Sequence, residues 1–599
     1  MRLTSIILLL FIFLTAIFTF PLILNFNTAI PGFHSTDEPY GVLWNFWWLK
    51  YSHLQHLKDN FSPFIASPFG LNLAQSPAYP IGDFINKFLT LIFGEIIAYN
   101  LQVVISFILS AIFMYYLVYG ITHDRLTSIF SGIIYSFSSY HTVRSWQHPS
   151  LAQIQWLPLY LWALFNLREK STLKNMIFTA ISFCFIAFFN YYYAYFSLII
   201  TLAFIIFIFV YDKKGYLRIA RDTLISMSLA FLILLPIILP IFKAAYFTQR
   251  TQDLIAGGYF RTFNDLFEQS ARPLSYFLPD AVHPIFGKFS EQFIGLSIYG
   301  MSFTEHALYL GWTSLIFAFI AFRKWRRNKK LRITSHELRV TNNEDFYIGF
   351  FIWLAIVAWF FSQPPWWEIG AFKIYMPSFF MYKIFPMFRA YCRFGVVVML
   401  AVAVLAGVGL KFILEKFNSQ KTKVVITALS CGLFLFESWN WPPFKVINVS
   451  GIPAVYYWLK AQPGDFIIAE YPLDVEGANE IYKFYQTRHE KKIINATIPG
   501  TYPNKVAKSI IKLSDPNTPG ALRWMKVKYV LVHRDGYQNT ELIEWTEELD
   551  KVAKIPGLKF IKSFTAEECP QKGIRCIQEA GPIDVYEVIA QPIKPEVEE

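Results

Sequence analysis

The sequence is built from recurrent apolar blocks, most of them about 17–22 residues long, the length at which a helix crosses a hydrocarbon core. They fall near 3–24, 97–119, 127–141, 151–167, 176–193, 194–211, 223–245, 306–322, 346–362, 394–413 and 424–440. The expected architecture is a polytopic α-helical membrane protein with about 11 transmembrane helices. Composition agrees: 54% of the 599 residues are hydrophobic and only 16% are charged, against about 25% in soluble domains. A water-soluble fold could not hide that much apolar surface. The first block follows Met1 and Arg2 and runs to Leu24 without a small-x-small cleavage site, so it reads as a retained helix rather than a signal peptide.

The net charge of +12 is spread over short loops instead of one patch, which excludes a nucleic-acid reading and gives a topology signal. Every second loop is basic: Arg125; Arg168, Lys170 and Lys174; Lys213, Lys214, Arg218 and Arg221; the run from Arg323 to Arg332; and Lys416, Lys421 and Lys423. The positive-inside rule places these loops and the N-terminus in the cytoplasm. The segments 25–96, 142–150, 246–305 and 363–393 then face outward, as does the C-terminal part. The expected localisation is the plasma membrane.

The outward loops are long and aromatic. The stretch 44–59, WNFWWLKYSHLQHLKD, is amphipathic at helical spacing, and 82–94 is similar; both read as helices lying in the membrane interface. After about residue 440 the composition changes. Strand-like runs at 465–473, 528–535, 558–564 and 583–589 alternate with helix-like runs at 455–462, 479–490 and 541–555. This predicts two units: a membrane part over 1–440 and an extracytoplasmic α/β domain over 441–599. Cys184, Cys392 and Cys431 read as small core residues. Cys569 and Cys576 are either a local disulfide or two free thiols.

The sharpest chemical signal is Asp37-Glu38, about a dozen residues past the first block. Two adjacent carboxylates at a membrane surface can act as general base on a hydroxyl or hold a divalent cation, Mg or Mn, against phosphate; a solvated loop pair is the bland alternative. Outward cations that could meet phosphate are Arg144, His148, Arg272, His283, Arg389 and Arg393. Arg389 and Arg393 are spaced to share one face if helical. Each could equally anchor in headgroups. Glu305 is either a second acidic site residue or a helix N-terminal charge. Asp265 and Asp280 read as loop residues. Trp44, Trp47 and Trp48 could stack on a sugar, although tryptophan belts are ordinary at interfaces; Tyr191, Tyr192, Tyr193 and Tyr195 are read in the same way.

An acidic dipeptide opening the first outward loop, followed by interfacial helices, resembles the GT-C superfamily of membrane glycosyltransferases, including protein mannosyltransferases, aminoarabinose transferases and YfhO-like proteins. SPFGLNL (67–73), YHTVRSWQHPSLAQIQWLPLYLW (140–162), SYFLPDAVHPIFG (275–287), TEHALYLGW (304–312) and FPMFRAYCRFGVVVML (385–400) resemble their outward corners in order. The resemblance implies transfer of a sugar, with inversion, from a polyprenyl-phosphate donor to an extracytoplasmic glycan, lipid or protein acceptor. It implies that Asp37 or Glu38 activates the acceptor. Arg144, His148, Glu305, Arg389, Arg393 and Trp44 become the candidate substrate-binding residues.

The alternatives are a lipid or glycan transporter or flippase, and a non-catalytic assembly subunit of the same shape. Transporters keep ionisable groups inside their spans, and these blocks are almost bare of charge. No Walker loop, GxGxxG after a strand, HExxH or CxxC occurs.

Overall fold

The computed structural model describes residues 2–32, 38–73, 82–211, 215–247, 263–334, 343–440, 444–473, 478–498, 501–538, 543–565, 575–576 and 581–597. Asp37 and Cys569 lie outside these residues, and so does the side chain of Cys576.

Among the described residues, five helices are long and apolar enough to cross a membrane: Glu95–Thr122, Tyr191–Tyr211, Tyr216–Leu239, Asn343–Ser362 and Tyr391–Leu414. Two shorter apolar helices are Ser5–Phe18 and Leu173–Phe189. The apolar faces are turned outward. Ile6, Leu9 and Phe13 on the first helix, Leu198 and Leu202, and Leu224, Phe231 and Leu232 are all exposed, while Asn100, Ser106, Ser110 and Thr201 are buried. That inversion suits a hydrocarbon surround, and the chain is a multi-pass membrane protein.

The helix 395–414 forms the hub and is buried along nearly its whole length. Glycine permits this packing: a Cβ on Gly409 would overlap the carbonyl oxygen of Phe317, and one on Gly407 would overlap the Ser131 hydroxyl.

Two expected elements differ. The block 127–141 is not one helix but two, Arg125–Ser136 and Ser139–Gln147. Ser138 breaks it by adopting an extended backbone and accepting a hydrogen bond from the His141 N–H through its side chain. The tryptophan-rich helix spans Glu38–Leu54, and Trp44 and Trp48 are buried instead of meeting lipid. The Asp83–Phe93 helix is amphipathic: it buries Asp83, Asn86 and Thr90 and exposes Phe84, Phe88, Leu91 and Ile92.

In the C-terminal part a five-stranded sheet has the order Leu558–Phe564, Ile583–Val588, Val527–His533, Ile467–Tyr471, Lys492–Ile493. The last three strands are parallel and the first two pair antiparallel. The four strand-like runs are these strands; Lys492–Ile493 is too short to be read from pattern. A second sheet pairs Ala29–Pro31 with Val446–Asn448, which pairs with Arg575–Cys576.

The segment 64–67 clamps both parts together. Phe64 O accepts from Ile493 N–H at 2.8 Å, Ala66 N–H donates to Asn495 O at 2.9 Å, and Ser67 N–H donates to Ile493 O at 2.9 Å. Beneath them, Trp44 Nε1 donates to Gln486 Oε1 at 2.8 Å, and Gln486 Nε2 donates to Phe64 O at 2.6 Å. These bonds fix the helix that begins with Glu38.

Candidate active site at the ends of the helices

Glu38 is the first residue of its helix, where a carboxylate is favoured by the helix dipole. Its carboxylate meets Nδ1 of His148. His148 caps the C-terminus of Ser139–Gln147, its N–H donating to Arg144 O at 2.8 Å. The Ser138 break therefore sets the direction of the short helix that carries both Arg144 and His148.

Arg144 points inward and is 1% exposed. Its Nη2 donates to Glu305 Oε2 at 2.7 Å and to the Glu305 carbonyl at 3.3 Å. From the other side, Arg393 Nη2 donates to Glu305 Oε1 at 2.6 Å and Nε to Oε2 at 3.2 Å. The Cys392 thiol donates to Oε2 at 3.2 Å. Burial alone would raise the Glu305 carboxyl, but Arg144 and Arg393 hold it well below the usual range, and His148 adds to their pull. Glu305 is thus an anion locked between two cations.

Charge is left over. Two guanidiniums face one carboxylate, a surplus of one positive charge in a buried place. Among the described residues, Nε and Nη1 of Arg144 are buried without a hydrogen-bond partner. Unanswered buried donors of this kind are costly, and an incoming anion would satisfy them. Aromatic rings wall the site: Arg393 lies over Tyr192 at 4.6 Å and Arg144 near the Tyr140 ring at 5.3 Å. Tyr140 and Tyr193 join hydroxyls at 2.9 Å.

Of the residues singled out from sequence, Glu38, Arg144, His148, Glu305 and Arg393 come together here. Arg389 does not join them. Residues 391–394 form a 3-10 turn, so the spacing of four does not place Arg389 and Arg393 on one face. Arg389 instead pairs with Asp265 at 3.0 Å.

Trp44 is 2% exposed. It stacks on Trp48 at 6.1 Å, its N–H is taken by Gln486, and Lys483 lies over it at 5.4 Å. This buried packing corrects the sugar-stacking expectation for Trp44. Arg272 donates to the carbonyls of Phe267, Ser270 and Ala271, and His283 Nε2 bonds Phe436 O at 2.9 Å. Asp280 is buried, and that burial pushes its carboxyl up to about 7.

Pattern reading missed Cys392, taken as core filler, whose only signal is that it precedes Arg393. Among the described residues no group of three or more His, Cys, Asp or Glu gathers to hold a metal ion. Of the pair expected to hold a divalent cation, Glu38 is described and bonds His148, and Asp37 lies outside the described residues.

A family model described as "Domain of unknown function (DUF6311)" matches residues 46–446. A comparison with curated proteins found no match. Among solved structures, the arabinofuranosyltransferase AftD from Mycobacteria superposes with a TM-score of 0.55 at 14% identity, over 99% of this chain and 40% of that one. A mutant form of AftD gives 0.54 at 13%, over 99% and 42%. This chain therefore spans about two-fifths of AftD's length. ArnT from Cupriavidus metallidurans, bound to undecaprenyl phosphate, gives 0.46 at 9% identity over 99% of both chains. The fold is GT-C-like, similar to that of the arabinofuranosyltransferase AftD.

Proposed function

We propose that this chain, which belongs to the DUF6311 family, is an inverting glycosyltransferase that moves a sugar from a polyprenyl-phosphate donor to an extracytoplasmic glycan, lipid or protein. The observation that carries this reading is the surplus positive charge at Arg144 and Arg393, with two unanswered Arg144 donors, one short helix away from the Glu38 carboxylate.

In this scheme the donor phosphate binds at the two guanidiniums, and Glu305 keeps both of them in place. A carboxylate of the Asp37-Glu38 pair takes the proton from an acceptor hydroxyl. The hydroxyl oxygen bonds to the anomeric carbon as the bond from that carbon to the phosphate oxygen breaks. The electron pair leaves with the phosphate, whose charge the arginines stabilise. A single displacement inverts the anomeric centre. The reading includes about 11 spans, a cytoplasmic N-terminus and residues 441–599 as an outward α/β domain.

The test is sugar transfer by purified protein from a panel of polyprenyl-phosphate sugars to membrane extract, with and without Mg or Mn. Wild type is compared with Asp37→Asn, Glu38→Gln and Arg144→Gln. Transfer that is lost in Arg144→Gln and in either carboxylate variant, with folding intact, supports the reading. Transfer indifferent to all three would remove the site from the chemistry.

A further inference from the structure

The end of the helices away from the candidate active site carries a cavity that the glycosyl-transfer scheme does not use. The helix Asn343–Ser362 is 20 residues long, roughly 30 Å at 1.5 Å per residue. Its Ser362 end adjoins the site: Ser362 O accepts from Ala271 N–H at 2.8 Å, and the neighbouring Ser270 O bonds His306 Nε2 at 2.9 Å. Asn343, at the other end, therefore lies toward the opposite face of the membrane. There Arg168, Glu169, Arg218, Ile219 and Asn343 line a cavity of about 380 Å³, a size that takes a small ligand or headgroup. Arg168 and Glu169 end the helix Trp156–Glu169, and Arg218 stands in the first turn of Tyr216–Phe247. Glu169, Arg218 and Asn343 are exposed and Arg168 is half-buried, so the cavity can be entered from outside.

Its wall is charged unevenly. Arg168 lies over the Phe346 ring at 3.7 Å, which holds the guanidinium by its face; a guanidinium donates from its edge. Arg218 Nη2 donates to Arg168 O at 3.3 Å. Among the described residues neither guanidinium forms an ion pair with a carboxylate. The acidic side chains nearby are otherwise engaged. Asp222 is held by Arg221 at 2.9 Å and by the Ser171 hydroxyl, and Glu344 by Lys411 at 2.8 Å. Glu169, the carboxylate on the wall, accepts from Tyr347 OH at 3.0 Å. Two guanidiniums against one carboxylate leave a surplus of one positive charge.

The surroundings are apolar. Leu217, beside Arg218, is 66% exposed, and Leu173, Ile177 and Leu224 are exposed too. In a membrane protein such a surface meets hydrocarbon, so an anion seated in the cavity can carry acyl chains alongside it. We propose that this cavity binds the headgroup of an anionic phospholipid from the leaflet at that face, with its phosphodiester held by Arg168 and Arg218. Basic pockets between membrane helices suit such headgroups. A phosphodiester brings one negative charge, equal to the surplus, and oxygens that accept from guanidinium edges. The hydroxyls of a glycerol headgroup donate to Glu169 and to the Asn343 amide oxygen. A zwitterionic headgroup, with no net charge, leaves the surplus standing. The site does not depend on the glycosyl-transfer reading.

The experiment is native mass spectrometry of the full chain, titrated in detergent with phosphatidylglycerol or phosphatidylcholine of matched acyl chains. Wild type should hold phosphatidylglycerol about tenfold more tightly, and Arg218→Gln should erase that preference, the loss expected for one hydrogen bond to a charged group. Arg326→Gln removes an exposed cation outside the cavity, on the helix that precedes Asn343, and should keep it. Equal binding of the two lipids, or equal losses in both variants, overturns the site in favour of diffuse attraction. Glycerol phosphate that competes as tightly as the lipid would make the ligand a soluble phosphate ester and overturn the lipid assignment.

A cryo-EM map of wild type in phosphatidylglycerol nanodiscs does not depend on variant folding. Headgroup density between Arg168 and Arg218 is the expected result, and an empty cavity in that map overturns the proposal.

Discussion

The guanidinium of Arg393 grips the carboxylate of Glu305 at two points, Nη2 to Oε1 at 2.6 Å and Nε to Oε2 at 3.2 Å. Glu305 is buried and Arg393 largely so, and Arg144 closes the pair from the other side. Removing the carboxylate would leave two buried cations facing each other. Breaking one side of such a pair costs about 3–5 kcal/mol, so Glu305→Gln should unfold at a markedly lower temperature than wild type. The pH dependence has a definite sign. A carboxyl held below its unfolded value contributes stability that is present above that value and is lost as pH falls through the folded one. The gap between wild type and Glu305→Gln should therefore be widest near neutrality and narrow on acidification below about pH 4. Unfolding curves in detergent across that range measure it.

Arg144 and Arg393 differ in what they leave free. Arg393 spends Nη2 and Nε on Glu305, whereas Arg144 keeps Nε and Nη1 unanswered. Arg144→Lys preserves the charge and removes those directed donors. If they meet the leaving phosphate, transfer should fall about 10²–10³-fold, the scale of one lost transition-state donor, with little change in donor affinity. Steady-state kinetics on the donor that wild type accepts would show it. A fall confined to KM would place the arginine in ground-state binding instead.

Asp83 is a buried carboxyl pushed up to about 7, chiefly by burial, against the opposing hydrogen bonds from Asn45 and Asn86. A raised carboxyl contributes stability that is full below its unfolded value and is lost as pH rises through the folded one. Between about pH 4 and pH 8, wild type should therefore lose stability relative to Asp83→Asn. Parallel slopes for the two proteins would show that this carboxyl does not titrate there.

Gly409→Ala should be strongly destabilising, by about 1–3 kcal/mol or more. The new methyl has nowhere to go but into the Phe317 carbonyl, which is backbone and cannot swing aside. Gly432→Ala is the matched control. It is also helical, and nothing lies within 4 Å of its Cβ position, so it should be neutral or slightly stabilising. Equal losses at both positions would remove packing as the cause.

Trp44→Phe keeps an aromatic ring but deletes the pyrrole part of the indole, with the N–H that reaches Gln486. Left with one unsatisfied buried acceptor, the clamp between the two parts should weaken by about 1–3 kcal/mol. Gln486→Ala in the same background should then cost less than it does alone, which a double-mutant cycle reads directly.

The sequence by itself determined that this chain lives in a membrane, because blocks of spanning length and a shortage of charge leave no other solvent for so much apolar surface. It also placed the strands at 467–471 and 558–564 and pointed to Glu38, Arg144, His148, Glu305 and Arg393, since charges bordering apolar blocks stand out against them. Partnership was decided only by tertiary structure. Arg144 and Glu305 are 161 residues apart, and no local pattern encodes which distant carboxylate a guanidinium meets. Arg389 and Arg393 looked alike in sequence, yet a single 3-10 turn sends one to Asp265 and the other to Glu305. The burial of Trp44 was equally hidden, because it depends on a helix more than four hundred residues further on. Periodicity reports how a segment meets its solvent; the chemistry of a site depends on which segments the fold brings together.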